Sequence, residues 1–214
     1  IDLLLANHPL DCPVCDKGGE CELQDVPFKF GPRKSPFGEE KRRFHEEDYI
    51  LSPVIIQNAN RCIQCKRCVR ICAETVGAGV LGSIDRGAGT GETSFVKEYL
   101  DCDHCGNCIE VCPVGSLMSR SFRYKSRPWD LKGVDTVCTY CGTGCQLTVQ
   151  ARNGEVLRVI SKPDKGINHE TLCARGRYGY SFINSHERLV TPMIRKGGTL
   201  EPATWDEALK AIKE

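Results

Sequence analysis

Fifteen cysteines and one of the five histidines fall into four sets of four along a chain of 214 residues, and no cysteine is left over. His8 leads Cys12, Cys15 and Cys21. Cys62, Cys65, Cys68 and Cys72 follow at Cys-x2-Cys-x2-Cys-x3-Cys spacing, and Cys102, Cys105, Cys108 and Cys112 repeat it. Cys138, Cys141 and Cys145 precede a distant Cys173. Thiols this dense call for disulfides, metal or redox chemistry. Disulfides explain them poorly, because an odd count strands one thiol and four sulfurs within eleven residues would strain short loops. Thiolates at these spacings suit iron–sulfur clusters in a reducing cytosol. No residue then has acid–base or nucleophilic work to do, and the chain reads as an electron wire.

The paired runs carry the most specific signal. Cysteines spaced by two residues wrap three corners of one cubane, and the fourth, after a three-residue gap, points along the following helix to the other cluster. This assigns Cys62, Cys65, Cys68 and Cys112 to one 4Fe-4S centre and Cys102, Cys105, Cys108 and Cys72 to a second. Pro113 after Cys112 fits the two-cluster ferredoxin pattern, whereas Ala73 after Cys72 departs from it. A structural zinc would instead use two Cys-x2-Cys pairs separated by a longer loop. Cys138, Cys141, Cys145 and Cys173 form a third 4Fe-4S loop, although alone they would also suit a zinc ribbon. Gly142 and Gly144 would let backbone N–H groups approach the cluster sulfur there. In the first set a neutral His8 imidazole replaces one thiolate, which removes a negative charge from the centre and adds pH dependence; the alternative is three thiolates beside an incidental histidine. His45, His169 and His186 have no partners at useful spacing, and His104, inside a cluster loop, reads as a hydrogen-bond donor to it.

The elements that position these ligands predict an α+β fold in four pieces. Residues 1–49 hold an apolar first turn, the His8 set and an irregular connector from Pro27 to Arg43, with Lys41, Arg42 and Arg43 as a solvated face. Residues 50–127 hold the duplicated cysteine loops, each followed by a helical stretch, Val69 to Thr75 and Ile109 to Met118, with strands expected near Pro53 to Gln57 and Phe95 to Leu100. In residues 128–190, two alternating stretches, Gln146 to Arg152 and Glu155 to Ile160, flank Asn153-Gly154, a strong hairpin signal because both turn residues accept positive φ. Residues 191–214 carry a capping box, Thr204-x-x-Glu207, and a helical stripe of Trp205, Ala208, Leu209 and Ile212. That helix is expected to open a larger domain or to pack on a partner.

The 21 glycines and seven per cent aromatic content point to small cores wrapped around inorganic nuclei. Formal charge is +1 with thiols neutral, which excludes a nucleic-acid-binding patch as the organising feature. Sixteen ligands around four oxidised clusters would make the holo chain more acidic by roughly 7 charges. No run approaches the ~18 apolar residues of a membrane span, and no secretion signal is visible after Ile1.

The stretch HPLDCPVCDKGGECELQD resembles the His/Cys cluster segment of the large iron–sulfur (G) subunit of NADH-quinone oxidoreductase and of cytoplasmic formate dehydrogenase alpha chains. CTYCGTGC with LCARGRYG is similar to the 4Fe-4S domain that opens molybdopterin oxidoreductases, and GTLEPATWDEALKAI resembles the first helix of their molybdenum or tungsten domain. In the G subunit of respiratory NADH dehydrogenases the paired region generally keeps one cluster, so the presence of Cys72, Cys102, Cys105 and Cys108 favours the formate dehydrogenase branch. The resemblance implies a flavin- and NAD-binding partner, small iron–sulfur partner subunits and a cytoplasmic location. A molybdopterin (Mo or W) cofactor is implied beyond Glu214. Arg175 matches a basic position between the last cluster and the pterin. The implied function is electron relay between a formate-oxidising site and the flavin/NAD partner. An NAD(P)H oxidoreductase of the G-subunit type is the alternative, and a stand-alone electron-transfer subunit a third reading.

Overall fold

The computed structural model describes residues 1–45, 48–95, 99–162 and 166–213. These residues form two compact units, Ile1–Tyr180 and Ser181–Glu214. Cluster loops dominate the first, and regular elements are short because so few residues separate successive cysteines.

The N-terminal stretch folds as helix α1 (Asp2–Ala6), a tight turn through Cys12–Val14, and helix α2 (Glu22–Phe30) with Cys21 at its N-cap. The connector expected to begin at Pro27 begins later. Pro27 sits inside the last turns of α2, and the helix stops at Gly31. Lys41 does not lie on a solvated face. Its ammonium donates to the carbonyl oxygens of Leu5 and Ala6, satisfying the exposed end of α1 as a cation does at a helix C-terminus.

The duplicated region carries a three-stranded antiparallel sheet in the order β1 (Tyr49–Ile50), β2 (Ile55–Gln57), β5 (Leu117–Ser119) and a separate hairpin of β3 (Gly82–Ile84) and β4 (Gly91–Thr93). Of the strand expected at Phe95 to Leu100, residues 96–98 lie outside the described residues. After the first cysteine loop the chain enters helix α3 (Arg67–Arg70) and widens into a π-helical turn, Ile71–Thr75, where Val76 N–H reaches Ile71 O at 2.9 Å. After the second loop, helix α4 (Asn107–Glu110) is far shorter than the expected Ile109 to Met118. Pro113 and Gly115 end it, and Leu117–Ser119 pair with Ile55–Gln57 instead. Leu51, Ile55, Leu81, Leu100, Val114 and Leu117 make one buried core with the sulfurs of Cys21, Cys68, Cys72, Cys108 and Cys112.

The third region is an antiparallel sheet of β6 (Lys132–Val137), β7 (Gln146–Arg152) and β8 (Glu155–Ser161), followed by helix α5 (Ala174–Tyr178). The hairpin turn falls at Asn153 and Gly154, with φ of 51° and 82°. β6, which carries no alternating apolar pattern, joins through a full ladder to β7. A second small core gathers Leu147, Val159 and Leu172 against Cys138 and Cys145.

In the second unit, strands β9 (Met193–Lys196) and β10 (Thr199–Pro202) form a hairpin and lead into helix α6 (Trp205–Lys213). The capping box forms reciprocally: Thr204 N–H donates to Glu207 Oε2 at 2.8 Å, and Glu207 N–H to Thr204 Oγ1 at 3.3 Å. Among the described residues no helix is long and apolar enough to cross a membrane.

Candidate metal centres

His8, Cys12, Cys15 and Cys21 line one cleft of about 570 Å³ together with Leu5, Gly18, Arg61 and Gly115. Burial, reinforced by the nearby charges of Lys41 and Arg61, lowers the His8 pKa to about 4. The imidazole is therefore neutral near pH 7 and keeps a lone pair free to bind a cation. Burial pushes the Cys15 and Cys21 thiols up, so a cationic core is needed to hold them as thiolates. Space is set partly from another region: a side chain at Gly115 would overlap Cys15 Sγ. Arg127 donates to Cys15 O at 2.7 Å and also to Pro13 O, tying the loop to the segment that precedes β6.

The duplicated loops share a backbone solution. Gln64 and Lys66 have φ of 54° and 61°; at the equivalent places His104 and Gly106 have 52° and 75°. The left-handed turn at the first place swings an N–H back onto the preceding cysteine: Gln64 N–H to Cys62 Sγ at 3.3 Å, and His104 N–H to Cys102 Sγ at 3.4 Å. His104 Nδ1 lies 3.4 Å from the same sulfur. Cys62, Cys65, Cys68 and Cys112 line one small cavity, and Cys72, Cys102, Cys105 and Cys108 line another. The fourth cysteine of each run thus lies with the three of the other. Burial first, then mutual repulsion, raises Cys62 to about 11 and Cys68 to about 12, and Cys108 well above the ordinary thiol range.

Cys138 closes the end of β6 against the start of β7, its N–H donating to Cys145 O at 2.8 Å. Cys173 is the N-cap of α5, where its sulfur accepts from Gly176 N–H at 3.5 Å. A Cβ on Gly176 would lie 3.6 Å from Cys138 Sγ and 3.9 Å from Cys173 Sγ. Cys145 is raised by burial and then by the charges of Cys138, Cys141 and Cys173. The Cys141 thiol is lowered chiefly by hydrogen bonds from Thr143, with the Arg175 charge contributing.

Sulfur and imidazole donors of this kind fit iron–sulfur cores in all four places.

One buried group at these sites has no signature in the cysteine pattern. Arg177 lies two residues beyond Arg175, is 6% exposed and joins the third region to the second cysteine loop. It donates to Cys105 O at 2.8 Å through Nε, to Asn107 Oδ1 at 2.8 Å, and to Glu110. Glu110 also accepts from Ser161 N–H and Oγ, each at 2.8 Å, and Asn107 Oδ1 accepts from Leu172 N–H at 3.0 Å. Only the absence of a side chain at Gly106 admits α5, since a Cβ there would lie 2.6 Å from Arg177 Cδ and overlap the Tyr178 hydroxyl.

Family comparisons agree with this arrangement of modules. Residues 1–36 match the NADH-ubiquinone oxidoreductase-G iron-sulfur binding region, 52–118 the ferredoxin-like domain of NADH-quinone oxidoreductase subunit 3, 131–185 the molybdopterin oxidoreductase Fe4S4 domain, and 188–214 the molybdopterin oxidoreductase family. The chain is thus an electron-transfer segment built of iron–sulfur domains of the NADH-quinone oxidoreductase and molybdopterin oxidoreductase types. Its homologues include a G subunit of NADH-quinone oxidoreductase, the one numbered 2, from Rhizobium meliloti (strain 1021), 61% identical over 97% of this chain and 24% of that protein. They also include the NADH-quinone oxidoreductase G subunit of Rickettsia bellii (strain RML369-C), 40% identical over 100% of this chain and 31% of that protein. NADPH-Fe(3+) oxidoreductase subunit alpha of Geobacter sulfurreducens (strain DL-1 / KN400) is 42% identical over 98% and 24%. The chain thus spans 24–31% of the length of these relatives. A crystal structure of an NAD+-reducing [NiFe]-hydrogenase in the H2-reduced state superposes with a TM-score of 0.50 and 26% identity, over 58% of this chain and 54% of that one.

Proposed function

We propose that the chain is a four-centre electron relay of a cytoplasmic, NAD(P)H-linked multi-subunit oxidoreductase, with a flavin- and NAD-binding subunit and small iron–sulfur subunits as its partners. The relay reading is carried by the grouping of all sixteen candidate ligands into four sites. His8, Cys12, Cys15 and Cys21 hold the first 4Fe-4S centre; Cys62, Cys65, Cys68 and Cys112 the second; Cys72, Cys102, Cys105 and Cys108 the third; Cys138, Cys141, Cys145 and Cys173 the fourth. When bound, such clusters supply reversible one-electron transfer. The chain's own residues fix their spacing, keep them dry with Leu51, Leu81, Leu100 and Val114, and aim N–H groups at the sulfurs. Arg175 adds positive charge beside the fourth centre.

NAD(P)H linkage follows the names of the NADH-quinone oxidoreductase and NADPH-Fe(3+) oxidoreductase relatives. A formate-linked relay, with a molybdopterin site further along, is the second reading, favoured by the complete double set of ferredoxin cysteines and by the molybdopterin oxidoreductase match at 188–214. Iron lost from the native complex when each of the four ligand sets is replaced in turn should total about 16 Fe per chain; a total of about 12, with zinc present, would remove one assignment. Bleaching of the iron–sulfur absorption by NAD(P)H but not by formate decides for the first reading, and bleaching by formate decides for the second.

A further inference from the structure

Arg61 is 4% exposed and stands directly before Cys62, on the short turn Ala59–Arg61 that delivers that cysteine to the second centre. Its side chain turns the other way. It lines the cleft that holds His8, Cys12, Cys15 and Cys21, and not the cavity around Cys62, Cys65, Cys68 and Cys112. Nε and Nη2 each lie 3.0 Å from Asp11 Oδ2, while Nη1 meets the weak sulfur acceptor of Met118 at 3.6 Å. A guanidinium stays charged, and burying one is costly unless anions surround it. Asp11 compensates it incompletely. The carboxylate is shared, its Oδ1 accepting from Arg43 at 3.3 Å, and its side chain is 15% exposed against 5% for Arg61. Water therefore screens the anion more than the cation. Burial is the largest influence on the ionisation of His8 and Cys15; among charges, Arg61 acts on both, and at His8 it outranks Asp11. The excess positive charge falls on the ligands of the first centre.

We propose that the buried charge of Arg61 raises the reduction potential of the centre held by His8, Cys12, Cys15 and Cys21, while leaving that of the centre that begins at Cys62 unmoved. The inference rests on the four-centre reading above. Reduction brings one electron into the cluster and breaks no bond, so a fixed cation in the wall of the cleft favours the reduced form. The cavity of the second centre has a buried carboxyl in its wall instead: Glu92, 1% exposed and held by Ser83 Oγ at 2.6 Å. Arg61 therefore joins the two centres through its backbone and separates them in potential through its side chain.

The test is an EPR-monitored redox titration of the intact complex carrying Arg61→Gln, Arg61→Lys or Asp11→Asn, the first centre being identified as the signal lost in Cys12→Ala. In Arg61→Gln the ratio of reduced to oxidised first centre at fixed poise should fall about tenfold, which is about 59 mV for a one-electron couple, with the other three centres unmoved. Arg61→Lys, which keeps the charge, should hold the wild-type ratio. Asp11→Asn, which removes the opposing charge, should raise it. A merely structural ion pair would behave differently, because the Gln and Asn variants both break it and would shift the centre in the same direction. That common direction overturns the proposal, as does an unmoved potential in Arg61→Gln or a fall in Arg61→Lys as large as in Arg61→Gln. Should Arg61→Gln lose iron, Asp11→Asn decides: a raised potential supports the inference, and no rise, or loss of iron there too, overturns it. A Cys12→Ala complex that keeps every signal and the about 4 Fe of the first centre would mark failure of the four-centre reading itself.

Discussion

Between Cys62 and Cys72, and again between Cys102 and Cys112, the backbone turns left-handed at the same two places, yet the loops meet different neighbours. Lys66 in the first loop is exposed, and the next residue, Arg67, makes an exposed bidentate pair with Glu22 of α2 at 2.6 and 2.9 Å. Gly106 in the second loop is buried, and the next residue, Asn107, anchors Arg177 and Leu172 of the third region. The chains diverge again after the fourth cysteine: Ala73 continues into the π-helical turn, whereas Pro113 releases the chain into β5. Cluster geometry therefore accounts for what the loops share, and docking accounts for where they differ. An exposed ion pair is worth about 0.2–1 kcal/mol, while breaking a buried one costs about 3–5 kcal/mol, so the two docking modes carry very different weights.

The largest break in this symmetry should come from Cys72→Ala. If the loops exchange their fourth ligands, this change lowers iron by about 4 per chain and removes the centre served by Cys102, Cys105 and Cys108, leaving the Cys62 centre spectrally intact. Loss of the Cys62 centre instead would show that each loop keeps its own four cysteines. Next comes Gly106→Lys, which makes the second loop like the first. Its side chain collides with Arg177 and Tyr178 and forces the Arg177–Glu110 pair apart, for an expected loss of about 3–5 kcal/mol. Denaturant unfolding measures it, and a loss below about 1 kcal/mol would mean that the third region does not depend on this contact.

Local signals were legible in the sequence and long-range ones were not. Asn153-Gly154 and Thr204-x-x-Glu207 specify their turn and cap within four residues, and both form as the pattern implies. The apolar run at Ile109 to Met118 looks helical, but its end is claimed by pairing with Ile55–Gln57, some sixty positions earlier. β6 owes its place to a ladder with β7 rather than to its own residues, which are exposed throughout. Lys41 looks like a solvated charge until α1 brings two unpaired carbonyls to it. At the site, ligand types and spacing were readable because a cluster is wrapped by near neighbours. Gly106, Arg177 and Tyr178 were not, because their roles arise only when the regions dock. The one hint, a glycine directly after Cys105 where the first loop has lysine after Cys65, acquires meaning only beside α5.

The smallest effect sharpens the comparison most. Lys66 holds φ of 61° without a glycine and without burying its side chain. Lys66→Gly relieves a left-handed strain of about 1 kcal/mol but returns a similar amount of conformational freedom to the unfolded chain, so the two terms nearly cancel. Stability within about 0.5 kcal/mol of wild type and an unchanged potential for the Cys62 centre are expected. Unfolding curves and a redox titration check both. Because Lys66→Gly and Gly106→Lys exchange the same two residues at the same backbone angle, the gap between their effects isolates docking from cluster geometry. A loss in Lys66→Gly as large as in Gly106→Lys would mean that the left-handed turn, and not the neighbour packed on it, governs both loops.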